Sequence, residues 1–237
     1  MYRKSAVNNS FAAVLVLSLV LLAPGVARAQ DINPRISFFG GASLLSGSRS
    51  FVIGPSLFTT QFQNGIKIGV RGTANLREHW GAEGTYSFSS NDLQIAQALP
   101  VAVQSLGVHL HQVTGNALYF FTARDKSIRP FVTAGLGVSH FSPTSDAKLR
   151  AAQSFLGQPA VIAGTSSFAF DFGGGIEWRP WDRFGLRLDL RDHLSAIPRF
   201  GLPQNATSPG APFFPIQGRA QDFEITTGLI YYFAGGK

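Results

Sequence analysis

The chain has 237 residues, 45% hydrophobic and only 14% charged, with 26 Gly, 13 Pro, 21 Phe and no Cys. This is too apolar for a disordered chain and too rich in Gly and Phe for a helical bundle; without Cys there is no disulfide framework, Cys-ligated zinc site or thiol nucleophile. The formal charge of +7 first points to nucleic acid, a reading that waits on whether the chain carries a targeting segment.

Residues 1–29 read as a signal peptide. Arg3 and Lys4 precede the apolar run Phe11–Ala23, Pro24 and Gly25 break it, and Ala27-Arg28-Ala29 supplies small residues at −3 and −1 of a cleavage site after Ala29. This run of thirteen residues, interrupted only by Ser18, is too short for a membrane helix. Removing Arg3, Lys4 and Arg28 leaves 17 basic and 13 acidic residues, net +4. An exported chain of this charge is not expected to bind nucleic acid.

Residues 30–237 form one domain, built from runs that alternate with period two. Arg35 to Leu45 is apolar and Gly-rich. Ile66, Ile68 and Val70 share one face. Trp80 to Ser89 alternates throughout. Gly107 to Phe121 alternates at both ends but changes phase near Gln112, as at a bulge. Val132–Ser139, Phe168–Arg179, Phe184–Arg191 and Asp222–Phe233 complete eight runs. Short links (Asn75–His79, Ala123–Ser127, Pro180–Arg183) alternate with long ones (Gly47–Asn64, Asn91–Ser105, Ser142–Gly164, Ala196–Gly218). Transmembrane barrels have this rhythm, with short periplasmic turns and long outer loops. Within the long links, Ala147–Leu156 is expected to form a short helix capped by Ser145 or Asp146, and Ile197–Pro215, with five prolines, to fold irregularly over the barrel mouth.

The faces distinguish this barrel from a soluble one. Bulky Phe, Leu, Ile, Trp and Tyr occupy one face; Gly, Ser, Thr and charges occupy the other. Small and charged groups suit the narrow interior of eight strands, and bulky apolar groups suit lipid. The inward set is Lys67, Arg71, Arg179, Arg187 and Arg191 against Glu83, Asp171, Glu177, Asp189 and Glu224, five against five. Such pairing lowers the cost of buried charge and plugs the lumen. Trp80, Trp178, Trp181, Phe184, Tyr231 and Phe233 lie at short-turn ends and read as an interfacial aromatic girdle, joined by Tyr119, Phe120, Phe121, Phe131 and Tyr232.

Gly173-Gly-Gly-Ile-Glu-Trp, Trp181-Asp-Arg, Gly185-Leu-Arg-Leu-Asp-Leu-Arg-Asp and Pro130-Phe-Val-Thr-Ala-Gly-Leu-Gly-Val resemble strands of small outer-membrane β-barrel proteins, the OmpA/OmpX-like group. Gly228-Leu-Ile-Tyr-Tyr-Phe resembles the β-signal read by the outer-membrane insertion machinery, although Ala234-Gly-Gly-Lys follows the last aromatic. The resemblance implies an all-β, eight-stranded antiparallel up-and-down barrel in a Gram-negative outer membrane. Its expected partners are outer-membrane lipid and lipopolysaccharide, and the protein is expected to be a monomer.

Other motifs are weaker. His109-x-His111 puts two imidazoles on one face with no third metal ligand in view. His193-Leu-Ser195 resembles the His-x-Ser pair of lipid A deacylase barrels, but no acid occurs between Asp192 and Asp222 to orient the His. Asn205-Ala-Thr207 matches a glycosylation sequon. No catalytic residue, metal or cofactor is expected. The expected function is a structural or surface-interaction barrel with a largely closed lumen. A narrow channel for small solutes and a lipid A-modifying enzyme are the alternatives.

Overall fold

A computed structural model describes residues 33–98 and 100–233. The signal peptide expected over residues 1–29 lies outside these described residues.

Among the described residues ten strands form: β1 (Pro34–Ser46), β2 (Arg49–Ile53), β3 (Ser56–Phe62), β4 (Gly65–Asn75), β5 (Trp80–Gln97), β6 (Ala102–Phe120), β7 (Ile128–Pro143), β8 (Thr165–Trp178), β9 (Phe184–Ala196) and β10 (Arg219–Tyr232). One helix, α1 (Ser145–Gln153), lies between β7 and β8. Eight strands close into a ring in the order β1-β4-β5-β6-β7-β8-β9-β10, sealed by the β1–β10 pairing. Every pairing is antiparallel. Closure leaves no open sheet edge against lipid, the condition for spanning a membrane with strands.

The alternation of each run becomes the inside and outside of the wall. Outward residues such as Phe38, Ile66, Ile68, Leu136, Phe168, Phe172 and Leu188 are 41–76% exposed and form an apolar belt. Inward positions opposite them are buried Ser, Thr, Gly and charged residues. At the long-loop end the belt stops where Ser90, His109, Ser166, Asp192 and Gln221 take over outward positions. No helix among the described residues is long and apolar enough to cross a membrane; the crossing elements are strands.

Four expectations change. The link Gly47–Asn64 is not a plain loop: it folds into the β2–β3 hairpin, and β3 pairs β5 from Phe58↔Gln97 to Phe62↔Leu93, continuing the wall where β4 has ended. The link Asn91–Ser105 is mostly strand, because the β5–β6 ladder continues to Gln97↔Ala102. The phase change near Gln112 is not a bulge. Leu106, Val108, Leu110, Gln112, Thr114, Asn116, Leu118 and Phe120 all point inward in unbroken register. The inward face itself turns from apolar to polar and back, which imitates a phase shift in sequence. Finally, α1 begins earlier than expected, and Thr144 is its cap, accepting from Ala147 N at 3.1 Å.

The inward apolar stretch of β6 belongs to a second core at the long-loop end. Leu45, Phe58, Phe62, Leu93, Leu106, Leu110 and Phe141 from the wall meet Ala147 and Ala151 of α1 and Phe155, Phe200, Leu202, Phe214 and Ile216 of the loops. As expected, the 197–218 connection is irregular and folds over the mouth. Its Phe200 has φ 53° and Gly201 φ 80°, in a turn closed by Leu202 N to Arg199 O at 2.9 Å. Leu156 and Gly157 (φ 53° and 83°) make the same kind of turn between the paired Phe155 and Gln158. Positive φ at both central residues is the type I′ form, which normally selects Asn or Gly. Here burial of the Phe200 ring offsets the strain.

Inside the wall the glycines set how closely strands and side chains approach. A Cβ on Gly175 would lie 2.1 Å from Leu188 O and 2.8 Å from the Phe131 ring. Gly175→Ala is therefore expected to cost roughly 1–3 kcal/mol through forced backbone movement. A lower yield of the compact, heat-modifiable form on refolding would register it; unchanged yield and urea midpoint would show that the wall adapts.

Candidate functional site

The lumen is stratified by the parity of eight strands. Between the apolar cap and the short-turn end lies a buried ionic layer. Among the described residues, Arg35, Lys67, Arg71, Arg129, Arg187 and Arg191 are buried inside with Glu83, Asp171, Glu177, Asp189, Asp222 and Glu224. Six positive charges thus face six negative ones, so the layer is neutral overall. Isolated burial of any one would cost several kcal/mol; mutual pairing and hydrogen bonding reduce that cost.

The connections run across the barrel. β5 and β9 stand opposite each other in the eight-strand ring. Glu83 on β5 accepts from Arg187 at 2.7 Å and from Arg191 at 2.5 Å on β9. Asp189 accepts from Arg187 at 2.8 Å, Arg191 at 3.0 Å and Arg71 at 3.0 Å. Arg71 also reaches Glu224 at 3.0 Å and lies 3.6 Å over the Phe39 ring. Nearer the cap, Lys67 donates to Asp222 (2.5 Å), Glu224 (2.9 Å) and Gln112 (2.7 Å). Nearer the short turns, Glu177 accepts from Arg35 at 2.9 Å and Arg187 at 3.2 Å. Asn116 donates to Asp171.

Nine of the ten residues expected in this network are in it. Arg179 is not. β8 ends at Trp178 and Pro180 follows, so the chain leaves the sheet before parity can carry Arg179 inward. Its guanidinium lies over Tyr232 at 4.3 Å and donates to Asp182 O. Arg35, Arg129, Asp222 and His193 complete the layer and were missed. Asp222 already shares the inward parity of Glu224 at the head of its run, and carrying the Val132–Ser139 parity back two inward positions, through Phe131, finds Arg129. Arg35 was hidden at the head of a run that reads as apolar.

The girdle residues Trp80, Trp178, Trp181, Phe184, Tyr231 and Phe233 lie outward or at the rim of the short-turn end. Cross-strand contacts join Trp80 to Tyr119 (5.1 Å) and Phe184 to Tyr231 (5.5 Å). Phe120, Phe131 and Tyr232 differ from expectation: they point inward and are 0–5% exposed. They floor the lumen, with Arg129 stacked 3.9 Å over Phe120 and Arg187 4.3 Å over Phe131.

The remaining motifs fall apart as sites. His109 and His111 face outward beside Phe88, and His111 Nδ1 lies 3.0 Å from Tyr86 Oη. Among the described residues no group of three His, Cys, Asp or Glu side chains could hold a metal ion. His193 does meet acids, though none lies between Asp192 and Asp222: Asp171 at 3.7 Å and Glu224 at 3.3 Å, on the flanking strands β8 and β10. These groups are buried in the ionic layer, and Ser195 faces the lumen below the apolar cap. Asn205 is exposed in the 197–218 connection.

A closed antiparallel ring with an apolar outer belt, aromatic ends and a charged interior defines an integral outer-membrane barrel. The chain belongs to the outer membrane protein beta-barrel domain family, whose model matches residues 12–208. Among solved structures, the outer membrane protein OprG from Pseudomonas aeruginosa is similar in fold, with a TM-score of 0.51 at 14% identity, covering 85% of this chain and 97% of that one. Neisserial surface protein A (TM-score 0.47, 11% identity, 84% and 96% coverage) and the Yersinia pestis attachment invasion locus protein Ail (0.44, 10%, 85% and 100%) are also similar. No curated protein matches the chain.

Proposed function

We propose that this protein is a non-enzymatic, non-conducting barrel that holds a folded cap at the cell surface for a structural or surface-interaction role. The observation that carries this reading is the Glu83–Arg187–Arg191 connection across the full ring, with a packed apolar core above it. Ion pairs spanning the diameter fill the cross-section that a solute path needs. Short turns face the periplasm on this reading, and the cap comprising β2–β3, α1 and 197–218 faces outward. The apolar belt contacts outer-membrane lipid and lipopolysaccharide, the chain acts as a monomer, and the insertion machinery reads its last strand. Export uses residues 1–29, so the mature protein begins at Gln30, a terminus that mass spectrometry of purified protein checks.

The mature protein in planar bilayers is expected to give no unitary current steps at any applied voltage. Reproducible steps would replace this reading with a narrow channel. Lipid A mass spectra from cells with and without the protein are expected to coincide; a lost acyl chain would establish the enzymatic alternative.

A further inference from the structure

We propose that the short-turn mouth is an oxyanion site that takes a phosphate or carboxylate group end-on. The ionic layer is neutral as a whole, but its charges are unevenly placed. At this mouth Arg35 and Arg129 are 2% and 7% exposed, and both guanidiniums lie over the Phe120 ring, at 5.4 and 3.9 Å. A cavity of about 20 Å³ opens beside them, lined by Arg124, Lys126, Arg129 and Arg179 but by a single carboxylate, Glu177. Glu177 is committed through Oε1 to Arg35 and Arg187, while its buried Oε2 makes no hydrogen bond, so the site sets one carboxylate oxygen against four cationic side chains. Glu78 and Asp125 lie nearby, one receiving the Arg124 backbone N–H at 2.9 Å and the other paired with exposed Lys126 at 3.3 Å.

Arg129 is the group left short of charge. Its one side-chain hydrogen bond goes to the backbone carbonyl of Glu78 at 3.4 Å, and its buried Nε has no partner. Arg179 likewise donates to a carbonyl, that of Asp182, rather than to a carboxylate. A guanidinium held flat on an aromatic face presents its edge donors in a fork that matches an oxyanion. The enclosed space admits about one water-sized atom, so one or two oxygens enter while the rest of the group stays at the mouth. Tyr232 also lines the cavity, with Arg179 4.3 Å over its ring. Where this mouth opens rests on the orientation proposed above: on the periplasmic side, the group is a free anion or the phosphate of an inner-leaflet lipid.

The test uses the mature barrel refolded in phosphate-free detergent. Sodium phosphate and sodium acetate are titrated calorimetrically against chloride at constant ionic strength. Saturable binding is expected. Arg129→Gln should weaken it by about tenfold or more, Arg129→Lys should recover part of it, and Lys148→Gln at the opposite end should leave it unchanged. Each variant is first checked for heat-modifiable mobility. Repeating the titration in phosphatidylcholine nanodiscs separates the sources. Binding equal to that in detergent identifies a free anion, and binding lost in nanodiscs but present in detergent identifies a lipid headgroup. No binding in either medium, or binding indifferent to Arg129→Gln in a folded barrel, would overturn the proposal. These readouts are independent of conductance, so a conducting barrel with an intact site, or a silent barrel without one, tells the two readings apart.

Discussion

Glu83→Gln is expected to lower the unfolding free energy of the refolded barrel by roughly 3–5 kcal/mol, the usual cost of breaking a buried ion pair from one side. Glu83 is 3% exposed and serves Arg187, Arg191 and the Thr73 hydroxyl, with Arg71 4.0 Å away. Glutamine keeps the shape and some acceptor capacity but leaves the lumen with one uncompensated positive charge. The second arm is Glu83→Gln with Arg191→Gln, which restores neutrality. It is expected to recover more than 1 kcal/mol relative to the sum of the single changes, since directly interacting residues couple by about 0.5–3 kcal/mol. Urea titration followed by tryptophan fluorescence, with mobility shift as a second probe, measures all three. Strict additivity would mean that the layer tolerates local charge imbalance through water.

Phe214→Ala is expected to open the cap while leaving the barrel folded. Its ring is fully buried, edge-on to Phe155 at 5.2 Å and to Phe51 at 6.0 Å, and its amide donates to Pro203 O at 2.8 Å. It therefore pins the 197–218 connection to both the β2–β3 hairpin and the segment after α1. Truncating a buried Phe costs about 3–5 kcal/mol. Few ladder hydrogen bonds hold this connection, so the loss falls on local opening rather than on global unfolding. Trypsin cleavage after the exposed Arg199 should then accelerate by about a hundredfold or more, with heat-modifiable mobility unchanged. A cleavage rate equal to that of the parent protein would show that the cap is held by something other than its aromatic core.

The wall was legible because a membrane barrel imposes the same alternation on every strand. Phe168, Phe170 and Phe172 face lipid while Asp171 faces inward, and nothing else in such a chain has reason to alternate that way. The register misreading at Gln112 shows where this rule fails. Parity held, but the inner chemistry changed as β6 passed from the apolar cap to the ionic layer. Arg179 shows the complementary failure: parity continued past the end of the sheet.

The internal packing of the cap was not legible, for a different reason. Its residues lie in links whose local sequence gives few directions: Leu156-Gly157 and Phe200-Gly201 carry no turn preference in their first residues, yet both adopt positive φ because Phe155 and Phe200 find a core to enter. The β2–β3 hairpin likewise exists because β5 outruns β4 and offers a free edge to β3. The amino-acid sequence by itself determined the barrel class, the strand faces and nine members of the charged lumen, because each follows from two-residue periodicity against lipid. Only the tertiary structure decided which charges pair across the ring, that His193 meets Asp171 and Glu224, and that the outer end is sealed by an apolar core. The ion pairs among them join residues up to 157 positions apart, as Lys67 to Glu224, and ring closure, not local preference, brings them together.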